Sequence, residues 1–141
     1  MSSFAFGEVI RLRVYDCFTF YNEFELLELR LKSLWDVVDY FVIVEANRKH
    51  NGQPKEFNLL NHREAIKDFM PKIRYIAADF LRRPFKGAGD WSLENAQRNA
   101  ILKGLNDTEP DDLIMISDLD EIPAPDMISI LKQTIRQIQP P

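Results

Sequence analysis

The sequence predicts an open α/β domain, a mainly parallel sheet flanked by helices. Three observations carry this. Continuous apolar runs, at 37–46, 73–78 and 113–116, read as strands buried on both faces. They alternate with segments whose apolar residues recur at helical spacing. The run Leu113 to Ile116 then passes directly into Ser117-Asp118-Leu119-Asp120-Glu121, as if a buried central strand opened into a carboxylate cluster. Open α/β sheets hold their ligands at the carboxyl ends of the strands, so the site is expected to begin at Ser117.

Residues 11–20 form the first predicted strand, with a Val-Tyr-Asp-Cys-Phe core. Asn22 and Glu25 make a capping-box pattern that satisfies the free N–H groups of a helix start. Leu27, Leu31, Leu34 and Trp35 give that helix one apolar stripe to about residue 35, leaving Glu25, Glu28, Arg30 and Lys32 mainly for the solvated side. The second strand covers 37–46 and ends in the polar residues Glu45, Asn47 and Arg48. Asn51-Gly52 and Pro54 mark a loop. Asn61 with Glu64 is a second capping pattern, opening a short helix that Pro71 stops, and 73–78 is the third strand.

Residues 80–91 carry Pro84, Gly87 and Gly89 among Arg82, Arg83 and Lys86, and read as a long loop of the kind that tends to be functional or disordered. Asp90 is placed to cap a helix over 91–105, whose apolar side is Leu93, Ala96, Ala100, Ile101 and Leu105. Glu94 and Arg98 lie one turn apart on it, as do Asn95 and Asn99. A turn over 106–112 leads into the strand at 113–116. Pro123 and Pro125 then open a last helix with Met127, Ile128, Leu131, Ile135 and Ile138 in helical period. The order is β-α-β-α-β-α-β-α, and right-handed crossovers place helices on both faces of a single domain over 1–141.

Composition narrows the function classes. A chain of 141 residues with 45% hydrophobic content is enough for one cored domain. A formal charge of -4, with no Lys/Arg stripe, argues against nucleic acid. With Cys17 the only cysteine, there is neither an intrachain disulfide nor a cysteine metal cluster, and His50 and His62 do not suggest a zinc site. No window is long and apolar enough for a membrane span, and no signal peptide is visible, so a soluble, cytoplasmic setting is the expectation.

In an extended segment Asp118 and Asp120 would point to the same side, about 6 to 7 Å apart at the backbone. Oxygen ligands of this type, with no His or Cys nearby, favour Mg²⁺ or Mn²⁺, and a water-rich shell is one that a diphosphate would complete. The same two acids are also read as caps of the following helix or as lining a solvated turn. Arg98 has a phosphate-pairing reading and a plain Glu94–Arg98 surface-pair reading. Asp16, Glu45 and Asn47, at predicted strand ends, and Asn99 are ligand or capping residues. Trp91 and Phe85 are core or lid residues, and Cys17 a buried small hydrophobe. There is no Gly-rich phosphate loop, hence neither a Walker site nor a dinucleotide fingerprint.

Four ordered motifs, Tyr15-Asp16-Cys17-Phe18-Thr19-Phe20-Tyr21-Asn22-Glu23, Asp39-Tyr40-Phe41-Val42-Ile43-Val44-Glu45-Ala46-Asn47, Glu94-Asn95-Ala96-Gln97-Arg98-Asn99-Ala100 and Ser117-Asp118-Leu119-Asp120-Glu121-Ile122-Pro123, closely resemble glycosyltransferase family 17. The resemblance spans nearly the whole chain. It implies a GT-A type nucleotide-sugar fold, a divalent cation (Mn²⁺ or Mg²⁺), and inverting N-acetylglucosaminyl transfer from a donor such as UDP-GlcNAc to a glycan acceptor. By that likeness Asp120 is the direct metal ligand, and Asp118 contacts the donor ribose or a metal-bound water. Asp16, Phe18 and Asn22 line the nucleotide side together with Glu45, Asn47 and Arg48, while Arg98 and Asn99 face the donor pocket. Glu121 supports the metal motif, and no catalytic base is assigned.

A GT-A enzyme normally continues well past its Asp-x-Asp motif, so the resemblance also implies a donor-binding part, with a second copy of the chain as one cover for its open face. A longer parent would place it in the Golgi lumen. The rival readings are a non-catalytic nucleotide-sugar-binding or interaction domain of the same fold and a magnesium-dependent phosphohydrolase.

Overall fold

The computed structural model describes residues 12–81 and 91–138. Strands β1 (Val14–Thr19), β2 (Tyr40–Ala46), β3 (Ile73–Ala78) and β4 (Leu113–Ile116) form one sheet in the order β3-β2-β1-β4. Every neighbouring pair is parallel, with Cys17 level with Val42 on one side and Ile116 on the other. The connecting helices are α1 (Phe24–Leu34), α2 (Asn58–Asn61), α3 (Ser92–Asn99) and α4 (Pro125–Ile138), with 3-10 segments at Arg63–Lys72 and Ala100–Gly104.

Strand alternation divides the core in two. On one face Val14, Phe18, Phe41 and Ile43 meet Leu27, Leu31 and Leu34 of α1 and Ile128 of α4. On the other, Tyr15, Cys17, Val42 and Val44 meet Ala100, Ile101 and Leu105. This is the expected α/β arrangement with helices on both faces. No described helix is long and apolar enough to cross a membrane.

Several local expectations change. Among the described residues the run Leu113 to Ile116 is an edge strand, not a central one: Leu113 and Met115 pack inward, while Ile114 and Ile116 are 40% and 55% exposed. The reason is coverage, because the helical layer on the face of Ile114 and Ile116 packs on β1, β2 and β3. Capping also differs. Glu23 is the N-cap of α1, with no side-chain cap bond, and its carboxylate accepts the Asn22 N–H. Asn61 ends α2 instead of opening a helix, and Pro71 lies inside the 3-10 segment that follows. The helix expected over 91–105 is α only to Asn99 and tightens to 3-10 from Ala100. The loop residues Arg82, Arg83, Pro84, Phe85, Lys86, Gly87 and Gly89, and the proposed Asp90 cap, lie outside the described residues.

Gly104 explains how that tightened segment approaches the sheet. A Cβ there would stand 2.5 Å from Val42 Cγ1 and 3.3 Å from Ile76 Cδ1. Val42 is a wholly buried side chain on the central strand β2, with little room to give. Gly104→Ala should therefore lower stability by about 1–3 kcal/mol, read as a fall in the urea midpoint at unchanged m-value.

Candidate functional site

The chain adds β2 and then β3 on one side of β1, and places β4 on the other. The reversal makes a topological switch point at the carboxyl ends of β1 and β4, where loops must diverge and leave a crevice. A cleft of about 760 Å³ opens there. Thr19, Phe20 and Tyr21 line it from β1, and Ala46, Arg48, Lys49 and His50 from β2. Asp118, Leu119 and Asp120 line it from β4, and Leu93, Glu94, Gln97 and Arg98 from α3, with Trp91 beside them.

The two aspartates reach the cleft by a turn, not by an extended segment. The Glu121 N–H donates to the Asp118 carbonyl at 2.9 Å, closing a turn with Leu119 and Asp120 at its tip. Leu119 points inward at 4% exposure and anchors the tip in the core, while both aspartates are exposed. Glu121 turns back on the same loop: its Oε1 accepts the Asp118 N–H at 2.8 Å. The Arg98 Nη2 lies 3.5 Å from Asp118 Oδ1 and 3.4 Å from Glu94 Oε1. No described residue donates to the Asp120 carboxylate, and among the described residues no three His, Cys, Asp or Glu side chains are grouped to hold a metal.

Beneath the turn lies a guanidinium with no solvent exposure. Arg30 donates from Nε to Asp16 Oδ2 at 2.9 Å and from Nη2 to Asp16 Oδ1 at 2.7 Å. Its Nη2 also donates to Ser117 Oγ at 2.7 Å, and its Nη1 to the carbonyls of Asp118 (2.7 Å), Leu119 (3.2 Å) and Glu121 (3.3 Å). The side chain stacks over Phe18, 4.5 Å from the ring centroid.

Comparison with known proteins identifies the family. The model of glycosyltransferase family 17 matches residues 4–138. The chain belongs to that family. It is similar to the protein named beta-1,4-mannosyl-glycoprotein 4-beta-N-acetylglucosaminyltransferase from Rattus norvegicus, at 32% identity over 85% of this chain and 23% of the relative. The Homo sapiens protein of the same name matches at 32% over 85% of this chain and 24% of its own length. This chain thus spans about a quarter of those relatives. No solved structure matches it.

With family 17 membership established, the residues singled out from the sequence separate into two groups. Asp118, Asp120, Arg98 and Arg48 line the cleft. Arg48, however, spends its guanidinium on carbonyls, donating from Nε to Phe80 at 2.8 Å and from Nη2 to Leu81 at 3.0 Å, with Nη1 on Gly52. The others do not line it. Asp16 and Phe18 are wholly buried beside Arg30. Asn22 is exposed at the start of α1, and Asn99 is exposed at the end of α3, where Gln97 takes the cleft position instead.

Glu45 is a buried clamp. It accepts from Lys55 Nζ (2.6 Å), the N–H groups of Asn58 (2.7 Å) and Leu59 (2.9 Å), and Tyr75 OH (2.8 Å). Burial, then this bond to Glu45, raises the Tyr75 pKa. Asn47 ties β2 to the end of β3, donating to Asp79 Oδ1 at 2.9 Å and accepting the Phe80 N–H at 2.7 Å. Burial pushes the Cys17 thiol up to about 12, consistent with a small core residue.

The sequence reading left Arg30 for the solvated side of its helix, whereas it is wholly buried, although a signal for burial was present. Arg30 is three residues after Leu27 and four before Leu34, inside the apolar stripe of α1, while Asp16 alternates between Val14 and Phe18 on the strand face that α1 covers. Trp91, 66% exposed, belongs to the cleft wall and not the core, and Tyr21 stacks on His50 at 6.1 Å between ring centroids.

The clamp reading of Glu45 has a direct check. Glu45→Ala leaves the Lys55 ammonium, 5% exposed, without its carboxylate, and should cost about 3–5 kcal/mol in denaturant unfolding.

Proposed function

We propose that this chain carries the nucleotide-sugar side of a GT-A type, metal-dependent N-acetylglucosaminyltransferase, with UDP-GlcNAc as donor and a glycan as acceptor. The observation that carries the reading is the pair of exposed carboxylates, Asp118 and Asp120, at the switch-point cleft beside Arg98. Family 17 membership and the name of the relatives support this reaction class.

The donor set fits a hard divalent cation. Two carboxylates on one short turn offer only oxygen, which suits Mn²⁺ or Mg²⁺ over zinc. Two protein ligands leave most of the shell to water and diphosphate oxygens, the usual condition of magnesium sites on nucleotides. When bound, the cation offsets the charge that develops on the departing diphosphate.

The chain's own residues do the rest. Arg98, half-exposed and only loosely held at 3.4 and 3.5 Å, is free to turn to a phosphate oxygen. Arg48 fixes the β2 loop against the end of β3, so that Lys49 and His50 are carried to the cleft by a braced segment. Trp91, largely exposed on the cleft wall, offers a ring face to a base or a sugar. Transfer with inversion would follow attack of an acceptor hydroxyl on the anomeric carbon from the face opposite the diphosphate.

Calorimetric titration tests the reading. UDP-GlcNAc should bind the folded chain with Mn²⁺ and not with chelator, and Asp120→Asn should weaken binding by about tenfold or more with no change in melting temperature. Metal-independent binding, or none, would overturn it. Metal-dependent binding without transfer to N-glycan acceptors would instead support a non-catalytic donor-binding domain.

A further inference from the structure

We infer that Arg30 is the positioning residue of the acidic turn: held in the core by Asp16, it grips the backbone of residues 117–121 and so fixes how Asp118 and Asp120 enter the cleft. The inference rests on the proposed reading of those two carboxylates as cation ligands. Its own support is independent of that reading and comes from the bonding of one side chain.

A guanidinium carries five N–H groups in a rigid plane. In Arg30 they divide into two sets. Two, one on Nε and one on Nη2, make a forked pair with the two Asp16 oxygens, which locks the plane against β1. The remaining three face the turn and serve Ser117 Oγ and the carbonyls of Asp118, Leu119 and Glu121. Asp118 and Glu121 are also the two ends of the turn, joined by the Glu121 N–H to Asp118 carbonyl bond. One buried cation thus holds both ends and the middle of a loop more than 85 residues away in sequence.

Neither acidic side chain takes part in this grip. Arg30 takes backbone oxygens at 118 and 121 and makes its carboxylate bonds with Asp16, so its charge is matched inside the core and the carboxylates of Asp118 and Asp120 remain turned to the cleft. A residue needed only to fill the core would not require bonds to four residues of a surface turn. Lysine cannot replace this arrangement, since its ammonium lacks the planar fork needed to serve Asp16 and the turn together.

The test compares wild type with Arg30→Lys and Ser117→Ala by hydrogen exchange and by Mn²⁺ titration. In Arg30→Lys the amides of Asp118 and Glu121 should exchange about tenfold faster while those of the central strands β1 and β2 change far less, and Mn²⁺ affinity should fall by about tenfold or more. Ser117→Ala should shift both readouts in the same direction by a smaller factor. Unchanged exchange at the turn in a folded variant would overturn the inference. So would acceleration spread equally over the sheet, or a loosened turn that binds Mn²⁺ as wild type does. Ser117 Oγ also donates to the Glu121 carbonyl at 3.2 Å, so if Arg30→Lys fails to fold, Asp16→Asn, which weakens the fork that locks Arg30 without touching the turn, decides on the same two readouts. Absence of Mn²⁺ binding by wild type would count against the proposed function, and exchange alone would then decide whether Arg30 holds the turn.

Discussion

The ion pair of Arg30 with Asp16 is the constraint on which the mouth of the sheet depends. Both side chains have no solvent exposure. Removing two charges from water costs several kcal/mol each, and their attraction offsets this only if the remaining polar atoms are also satisfied. Here they are satisfied by the backbone of another element. Arg30 would otherwise leave three N–H groups unpaired in the core, and the Leu119 carbonyl of the turn would lose its donor. The ion pair, the α1 packing and the turn are therefore coupled through one side chain.

That coupling explains why the site sits where it does. A parallel sheet with helices on both faces offers one place where loops part, the carboxyl end between β1 and β4. The order of strands alone opens the crevice but does not say what faces it. Leu119 settles that locally by burying itself between two exposed aspartates, and Glu121 closes the turn from outside by accepting the Asp118 N–H. The acids are then displayed on a loop tied at its tip by an apolar anchor and at its ends by hydrogen bonds.

Much of the fold was legible in the sequence, because buried parallel strands read as apolar runs and their crossover helices as periodic ones. The position of β4 was not. Continuous apolar composition reports the hydrophobicity of Leu113 to Ile116, whereas sheet order depends on which side of β1 the chain crosses to, and no local pattern encodes that. The family motifs, with Arg48 just beyond the second of them, brought attention to Asp118, Asp120, Arg98 and Arg48, all of which line the cleft. They equally marked Asp16, Phe18, Glu45 and Asn47, whose side chains serve the core and the strand ends. A motif does not distinguish a residue that meets ligand from one that holds the residue that does. Burial does, and the alternation of β1 and the stripe of α1 already contained the Asp16–Arg30 partnership.

The polar residues at the strand mouths differ most in how much bonding capacity they have left. Glu45 accepts four bonds and has little to offer a ligand, and Asp16 is matched oxygen for nitrogen by Arg30. Asp118 keeps only the Arg98 contact at 3.5 Å, well beyond the 2.7–2.9 Å typical of a charge-assisted bond, and Asp120 has no donor among the described residues. Of the other carboxylates that line the cleft, Glu23 accepts the Asn22 N–H and Glu94 pairs with Arg98, so the negative charge with most bonding capacity left is on the β4 side, with Lys49, His50 and Arg98 on the others. A phosphate group laid across it would meet favourable partners on two sides and two like charges on the third. Repulsion at that third side is removed when a divalent cation lies between carboxylate and phosphate, and this is the physical case for a cation in the proposed reading.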